Sequence, residues 1–144
     1  ENRCFWGGRI THVSRSKLVR RMRQNPTHLM VGKQPFSMPE VMARYACLID
    51  IRGNGDSFRV PYLLHGGRPL LYIARPNLWS WYTDGRDNQP TIKPWVHYVP
   101  VDVNLVDLQT RASWVMSNTA QARAIASRAL AYASKYMTLK HIRE

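Results

Sequence analysis

Acidic side chains and cysteines are what this sequence has least of. Nine Asp and Glu stand against 21 Lys and Arg, a formal net charge of +12 in 144 residues. Such an excess points to polyanions: nucleic acid, nucleotide phosphates or an anionic membrane surface. No Asp-x-Asp pair is present to hold a metal, since Asp50 and Asp56 are six apart on different predicted elements. Only Cys4 and Cys47 carry thiols, without CxxC spacing, which leaves neither a disulfide framework nor a zinc site. Both lie in apolar runs and are expected to be buried free thiols, so the redox compartment stays open. No apolar run approaches the roughly 20 residues of a membrane span. No secretory signal precedes the strand-like Cys4-Phe5-Trp6, an abrupt start expected of a piece cut from a longer chain. No internal repeat or low-complexity tract is visible.

What is present describes one globular domain, with 44% hydrophobic and 21% charged residues. The most informative stretch runs from Arg44 to Gly67. Ala46–Ile51 is a short apolar run expected of a buried strand. Arg52-Gly53-Asn54-Gly55-Asp56 follows as a turn whose glycines are free to take positive φ. From Ser57, the residues Phe58, Tyr62 and Leu63 recur at helical spacing until Gly66-Gly67, with Asp56 or Ser57 as cap and Arg59 in the first turn. A strand, a glycine turn and a helix start gather unpaired N–H groups and the positive end of the helix dipole, the makings of an anion site. Gly53-x-Gly55-x-x-Phe58 lacks the third glycine of the dinucleotide fingerprint.

A second such unit opens the chain. Cys4-Phe5-Trp6 runs into Gly7-Gly8, and Ser14 is placed to cap a helix over Arg15–Gln24, ended by Asn25-Pro26. Two helix starts, each with an arginine, would suit the two phosphates of a nucleotide diphosphate. Further on, the pattern predicts a short strand around Leu29–Val31, a brief helix over Glu40–Tyr45 and a strand over Pro69–Ala74. Arg75–Pro94 is too long for a simple connector, and its Trp79, Trp81 and Tyr82 are expected to anchor it, with stacking on a base or sugar ring as the alternative. A strand over Trp95–Val101 leads to a helix over Leu105–Ser117 capped by Asp102 or Asn104, then to an alanine-rich helix over Ala120–Tyr136. Its apolar stripe is Ala122, Ile125, Ala126, Ala129, Leu130 and Ala133. Strands alternating with helices predict an α/β fold, a Rossmann-like parallel sheet covered on both faces. Among the histidines, His97 is expected to pack within its strand and His65 to meet a helix C-terminus, while His12, in the first turn near Arg15, has the better claim on a bound ligand.

Three segments in this order resemble glycosyltransferase family 90: Phe5–Arg9, Asp50–Arg59 and the more specific Lys93–Val101, KPWVHYVPV. The family holds protein O-glucosyltransferases, fungal capsule-associated xylosyltransferases and bacterial lipopolysaccharide-modifying transferases, and the resemblance covers nearly the whole chain. It implies a GT-B architecture, of which this chain resembles the C-terminal, donor-binding half, and a UDP-sugar donor with glucose or xylose as the sugar. Carried over by motif, the donor contacts are Gly8, Arg15, Asn54, Gly55, Asp56, Ser57, Phe58 and Arg59. The family's Phe-Arg-Gly-Ser turn is Phe-Trp-Gly-Gly here, without the serine hydroxyl at Gly8. By the same resemblance the leaving diphosphate is neutralised by arginines and helix dipoles with no cofactor and no bound metal, and the acceptor is a glycan or protein hydroxyl. The catalytic carboxylate belongs to an N-terminal acceptor domain, on the same or another chain, so no general base is assigned here. Two other readings stand beside it. One is a basic module binding nucleic acid through Arg15–Arg23, although no RRM, KH or zinc-finger signature is present. The other is an inactive transferase-like interaction domain.

Overall fold

The computed structural model describes residues 1–55, 59–85 and 88–138. Eleven elements alternate along them: β1 (Cys4–Trp6), α1 (Val13–Gln24), β2 (Leu29–Val31), α2 (Met38–Arg44), β3 (Cys47–Asp50), α3 (Val60–Leu64), β4 (Leu70–Ile73), α4 (Trp81–Asp84), β5 (Val99–Val101), α5 (Leu108–Ser117) and α6 (Thr119–Tyr136). The strands form one sheet in the order β2-β1-β3-β4-β5, with every neighbouring pair parallel. This is the predicted Rossmann-like α/β fold. The strands are short and buried on both faces, which is why they read as apolar runs without alternation.

Successive strand residues feed two cores, one on each face. Cys4, Trp6, Cys47, Ile49, Leu71, Ile73, Val99 and Val101 pack with Leu18 and Met22 of α1 and with Leu108, Ala112 and Val115 of α5. Phe5, Leu48, Leu70 and Tyr72 face the other way, against Val60, Leu63 and Leu64 of α3 and Tyr82 of α4. Helix α6 serves both: Ala122 and Ile125 belong to the first core, Ala129, Tyr132 and Ala133 to the second. The expected stripe holds except at Leu130, which is 39% exposed, while Tyr132 takes a buried place and bonds the Pro90 carbonyl at 2.7 Å.

Several boundaries differ from the sequence expectation. Helix α1 starts two residues early, and its cap is His12, whose Nδ1 accepts from the Ser14 N–H at 3.1 Å. Asp56, Ser57 and Phe58 lie outside the described residues, so the expected caps of α3 do too; Arg59 occupies the N-cap position of a five-residue helix. Helix α5 begins at Leu108 because the preceding loop is ordered by its own acids. Asp107 Oδ1 accepts from the Asp102 N–H and Asp102 Oδ2 from the Asn104 N–H, both at 2.9 Å. His65 sits at the C-cap of α3, and its Nε2 lies 3.0 Å from the Met137 carbonyl oxygen.

The predicted strand over Trp95–Val101 shortens to Val99–Val101, and the residues before it make a tight turn. Trp95 adopts φ 66°, its N–H donates to the Tyr98 carbonyl at 2.7 Å, and the Lys93 N–H donates to His97 Nδ1 at 2.9 Å. Arg128 of α6 donates from Nε to the Val96 carbonyl at 2.9 Å, which fixes the turn to the helix. His97 thus packs in a turn, against the Tyr132 ring at 5.2 Å, and not in a strand. The cysteines also depart from expectation. Cys4 and Cys47 stand directly opposite one another on β1 and β3, with Cα atoms 4.4 Å apart, and are joined as a disulfide. Forty-three residues separate them, so only the strand pairing brings them together.

Two outcomes follow. Closing a loop of this length stabilises the fold by about 4 kcal/mol in the chain-entropy account, so Cys4→Ala/Cys47→Ala should lose roughly 2–4 kcal/mol in urea unfolding. Alkylation of the unfolded, unreduced chain at both cysteines would show that the pair is not joined. His97 is held below its ordinary pKa, first by burial and then by Arg128 and Lys93. The unfolded chain therefore binds this proton more readily, and the stability His97 contributes is complete above about pH 6.5 and lost as pH falls below it. Melting temperature should fall between pH 7 and 5, and less steeply in His97→Gln; equal slopes would remove His97 from the account.

Candidate anion-binding site

In a 2-1-3-4-5 sheet, the connections leaving β1 and β3 depart in opposite directions, which opens a crevice at the carboxyl ends of these adjacent strands. Both predicted arginines lie there. Arg15, on the first turn of α1, reaches across to the loop after β3: its Nε donates to the Arg52 carbonyl at 3.0 Å and its Nη2 to the Ile51 carbonyl at 3.5 Å. Its Nη1 donates to the Arg9 carbonyl at 2.9 Å. Arg59, at the start of α3, reaches the opposite way, and its Nη1 donates to the Gly7 carbonyl at 2.6 Å. Each loop is thus held by the arginine of the other. Trp6 lies against Arg15 with 5.6 Å from guanidinium to ring centroid, and Phe36 against Arg59 with 5.9 Å.

The two guanidiniums converge over Gly8. A Cβ built on Gly8 would lie 3.6 Å from Arg15 Nη1 and 3.6 Å from Arg59 Nη2. Gly53 admits a second close approach, because a Cβ there would meet Thr11 Oγ1 at 2.9 Å and Arg15 Nη2 at 3.3 Å. Neither Gly53 nor Gly55 takes the positive φ expected of this turn; Gly53 is required for space. The carbonyl contacts use three of the five Arg15 N–H groups, which leaves two for a ligand. Burial lowers the Arg15 pKa, Asp50 supports its charge, and Arg59 and Arg75 oppose it. A half-desolvated cation among like charges gains most from an anion.

Of the sequence-predicted residues, Gly8, Arg15 and Arg59 come together, and Asn54 and Gly55 form the exposed tip beside them. Asp56, Ser57 and Phe58 lie outside the described residues. His12 uses Nδ1 to cap α1, a structural task. Tyr82 is buried and anchors the loop after β4, whereas Trp79 is 65% exposed. Trp6, Gly7, Arg52, Asp50 and Arg75 were missed. A carboxylate inside the apolar Cys47–Ile51 run was the available signal for the last two. Asp50 Oδ2 accepts from Arg75 Nη2 at 2.8 Å, with both side chains buried at the same end of the sheet. A cavity of about 490 Å³ lies at the opposite, amino end of the strands, lined by Tyr45, Ala46, Pro69 and Arg123 among others. Open parallel sheets bind ligands at the carboxyl ends, so the crevice between β1 and β3 is the candidate site.

The family model for glycosyl transferase family 90 matches residues 1–144. Among similar proteins, human protein O-glucosyltransferase 3 is 27% identical over 139 residues, covering 86% of this chain and 26% of that protein. Human protein O-glucosyltransferase 1 is 29% identical over 99 residues, covering 69% of this chain and 24% of its own length. Protein 035R of invertebrate iridescent virus 3 is 35% identical over 92 residues, 63% of this chain and 8% of the viral protein. The chain therefore spans about a quarter of the O-glucosyltransferases it matches.

A side chain larger than hydrogen at position 8 would enter the space between the guanidiniums. Gly8→Leu should weaken binding of inorganic pyrophosphate by at least about tenfold in calorimetry, with some loss of melting temperature because its Cβ would also meet Trp6 Cζ2 at 3.1 Å. Unchanged affinity in the variant would place the anion elsewhere.

Proposed function

The chain belongs to glycosyltransferase family 90, and from that premise we propose that it is the donor-binding domain of a GT-B glycosyltransferase, holding a UDP-sugar by its diphosphate. The observation that carries the reading is the pair of cross-linked arginines, Arg15 and Arg59, converging over Gly8 at the switch point of the sheet. Glucose or xylose is the proposed sugar, glucose being the one named in the O-glucosyltransferase relatives. In the proposed reaction an acceptor hydroxyl of a protein or glycan attacks the anomeric carbon. The bond to the diphosphate oxygen breaks with its electron pair, and UDP departs. The hydroxyl proton goes to a base in a second, acceptor domain. In this reading Arg15 and Arg59 face the leaving diphosphate and stabilise the negative charge that grows on it in the transition state.

Calorimetric titration of the chain with UDP, CMP and GDP tests the reading, alongside Arg59→Ala. UDP is expected to bind selectively, and loss of the charged contact should cost about 1.5–3 kcal/mol, roughly 10- to 150-fold in affinity. Binding that ignores the base, falls steeply with salt and extends to any polyanion would instead favour a basic surface such as the exposed Lys17, Arg20 and Arg23 of α1.

A further inference from the structure

From Asn2 to Pro39 the chain contains no Asp or Glu but eight Lys and Arg, so this stretch carries charge of one sign. Helix α1 buries Leu18 and Met22 against the sheet and turns Lys17, Arg20 and Arg23 to solvent. Just ahead of these cations stand two aliphatic side chains left in water: Ile10 is 56% exposed, and Val13, the first residue of α1, is 61% exposed. Val13, Lys17 and Arg20 recur at i, i+4 and i+7 and so share one face of the helix, over about 10 Å. The loop before the helix is held in place. The Thr11 N–H donates to the Arg9 carbonyl at 3.0 Å, Arg15 Nη1 donates to the same oxygen at 2.9 Å, and His12 Nδ1 caps α1. Its backbone is thereby fixed with Ile10 and Val13 outside. A comparable exposed aliphatic, Val106 at 68%, lies instead in the loop after β5, which carries Asp102 and Asp107.

We propose that the Ile10 loop and the outer face of α1 dock this chain on an anionic lipid surface. Ile10 and Val13 enter the headgroup region, and Lys17, Arg20 and Arg23 meet the lipid phosphates from the turns behind them. Aliphatic side chains held in water beside cations gain from both parts of such a surface, whereas a nucleic-acid backbone rewards the cations alone. Charge complementarity draws the partner, and the aliphatic pair selects lipid among polyanions. The surface uses neither Arg59 nor the N–H groups that Arg15 offers in the crevice, and it stands independently of the diphosphate reading.

The test is co-sedimentation of the full chain with vesicles of phosphatidylcholine alone and with vesicles that also contain phosphatidylglycerol. Binding is expected to the mixed vesicles and not to the neutral ones. Lys17→Gln/Arg20→Gln removes two cations from the surface and should weaken binding roughly 30-fold. Ile10→Ser/Val13→Ser keeps every charge and should weaken it at least about tenfold, while Val106→Ser should leave it unchanged. All five side chains are exposed, so each variant is expected to keep its melting temperature within a few degrees, which separates lost docking from lost folding. Undiminished binding by Ile10→Ser/Val13→Ser would overturn the proposal, and tight, salt-sensitive binding of single-stranded RNA by that variant would make α1 a nucleic-acid surface instead. A loss in Val106→Ser equal to that in Ile10→Ser/Val13→Ser would overturn the placement on α1. Wild-type chain that leaves the mixed vesicles unbound would overturn it outright.

Discussion

Two guanidiniums, each hydrogen-bonded to backbone carbonyls of the other's loop, set the shape of the carboxyl end of this sheet. Strand order sends the chain away from β1 and β3 in opposite directions, and nothing in sheet pairing itself would keep those loops together. Arg15 and Arg59 do so by reaching across. The carbonyl contacts order the two cations at the carboxyl end of the sheet. Gly53 follows from this: a Cβ there would come within 2.9 Å of Thr11 Oγ1 and 3.3 Å of Arg15 Nη2, too close for a larger residue. Burial and the like charges of Arg59 and Arg75, against the support of Asp50, lower the Arg15 pKa at this end.

The buried Asp50–Arg75 pair belongs to the same constraint. A parallel sheet buried on both faces offers little place for charge, yet this pair sits at its carboxyl end, over an aromatic ring. Breaking such a pair is far more costly than replacing both members, because the partner left behind is buried without compensation.

Much of this was legible in the sequence. Apolar runs alternating with helical patterns predict the parallel sheet, and both arginine-bearing loops fall where Gly7-Gly8 and Gly53 break the strands. What was not legible has a common cause. The Cys4–Cys47 bond, the Asp50–Arg75 pair and the reciprocal reach of the arginines all join residues separated by 25 or more positions. Only the lateral order of strands makes them neighbours, and apolar spacing carries no record of that order. The turn at Lys93–Tyr98 was misread for a local reason: its apolar residues match a strand, while Trp95 in the left-handed region turns the chain instead. His12 was passed over as a cap because an imidazole nitrogen is a less common choice there than Ser14.

Helix α6 closes one core with Ala122 and Ile125 and the other with Ala129, Tyr132 and Ala133. A chain synthesised from its amino end therefore cannot finish either layer early. Both faces of the sheet stay partly open on the ribosome until α6 has emerged, after the strands that carry the crevice have been made.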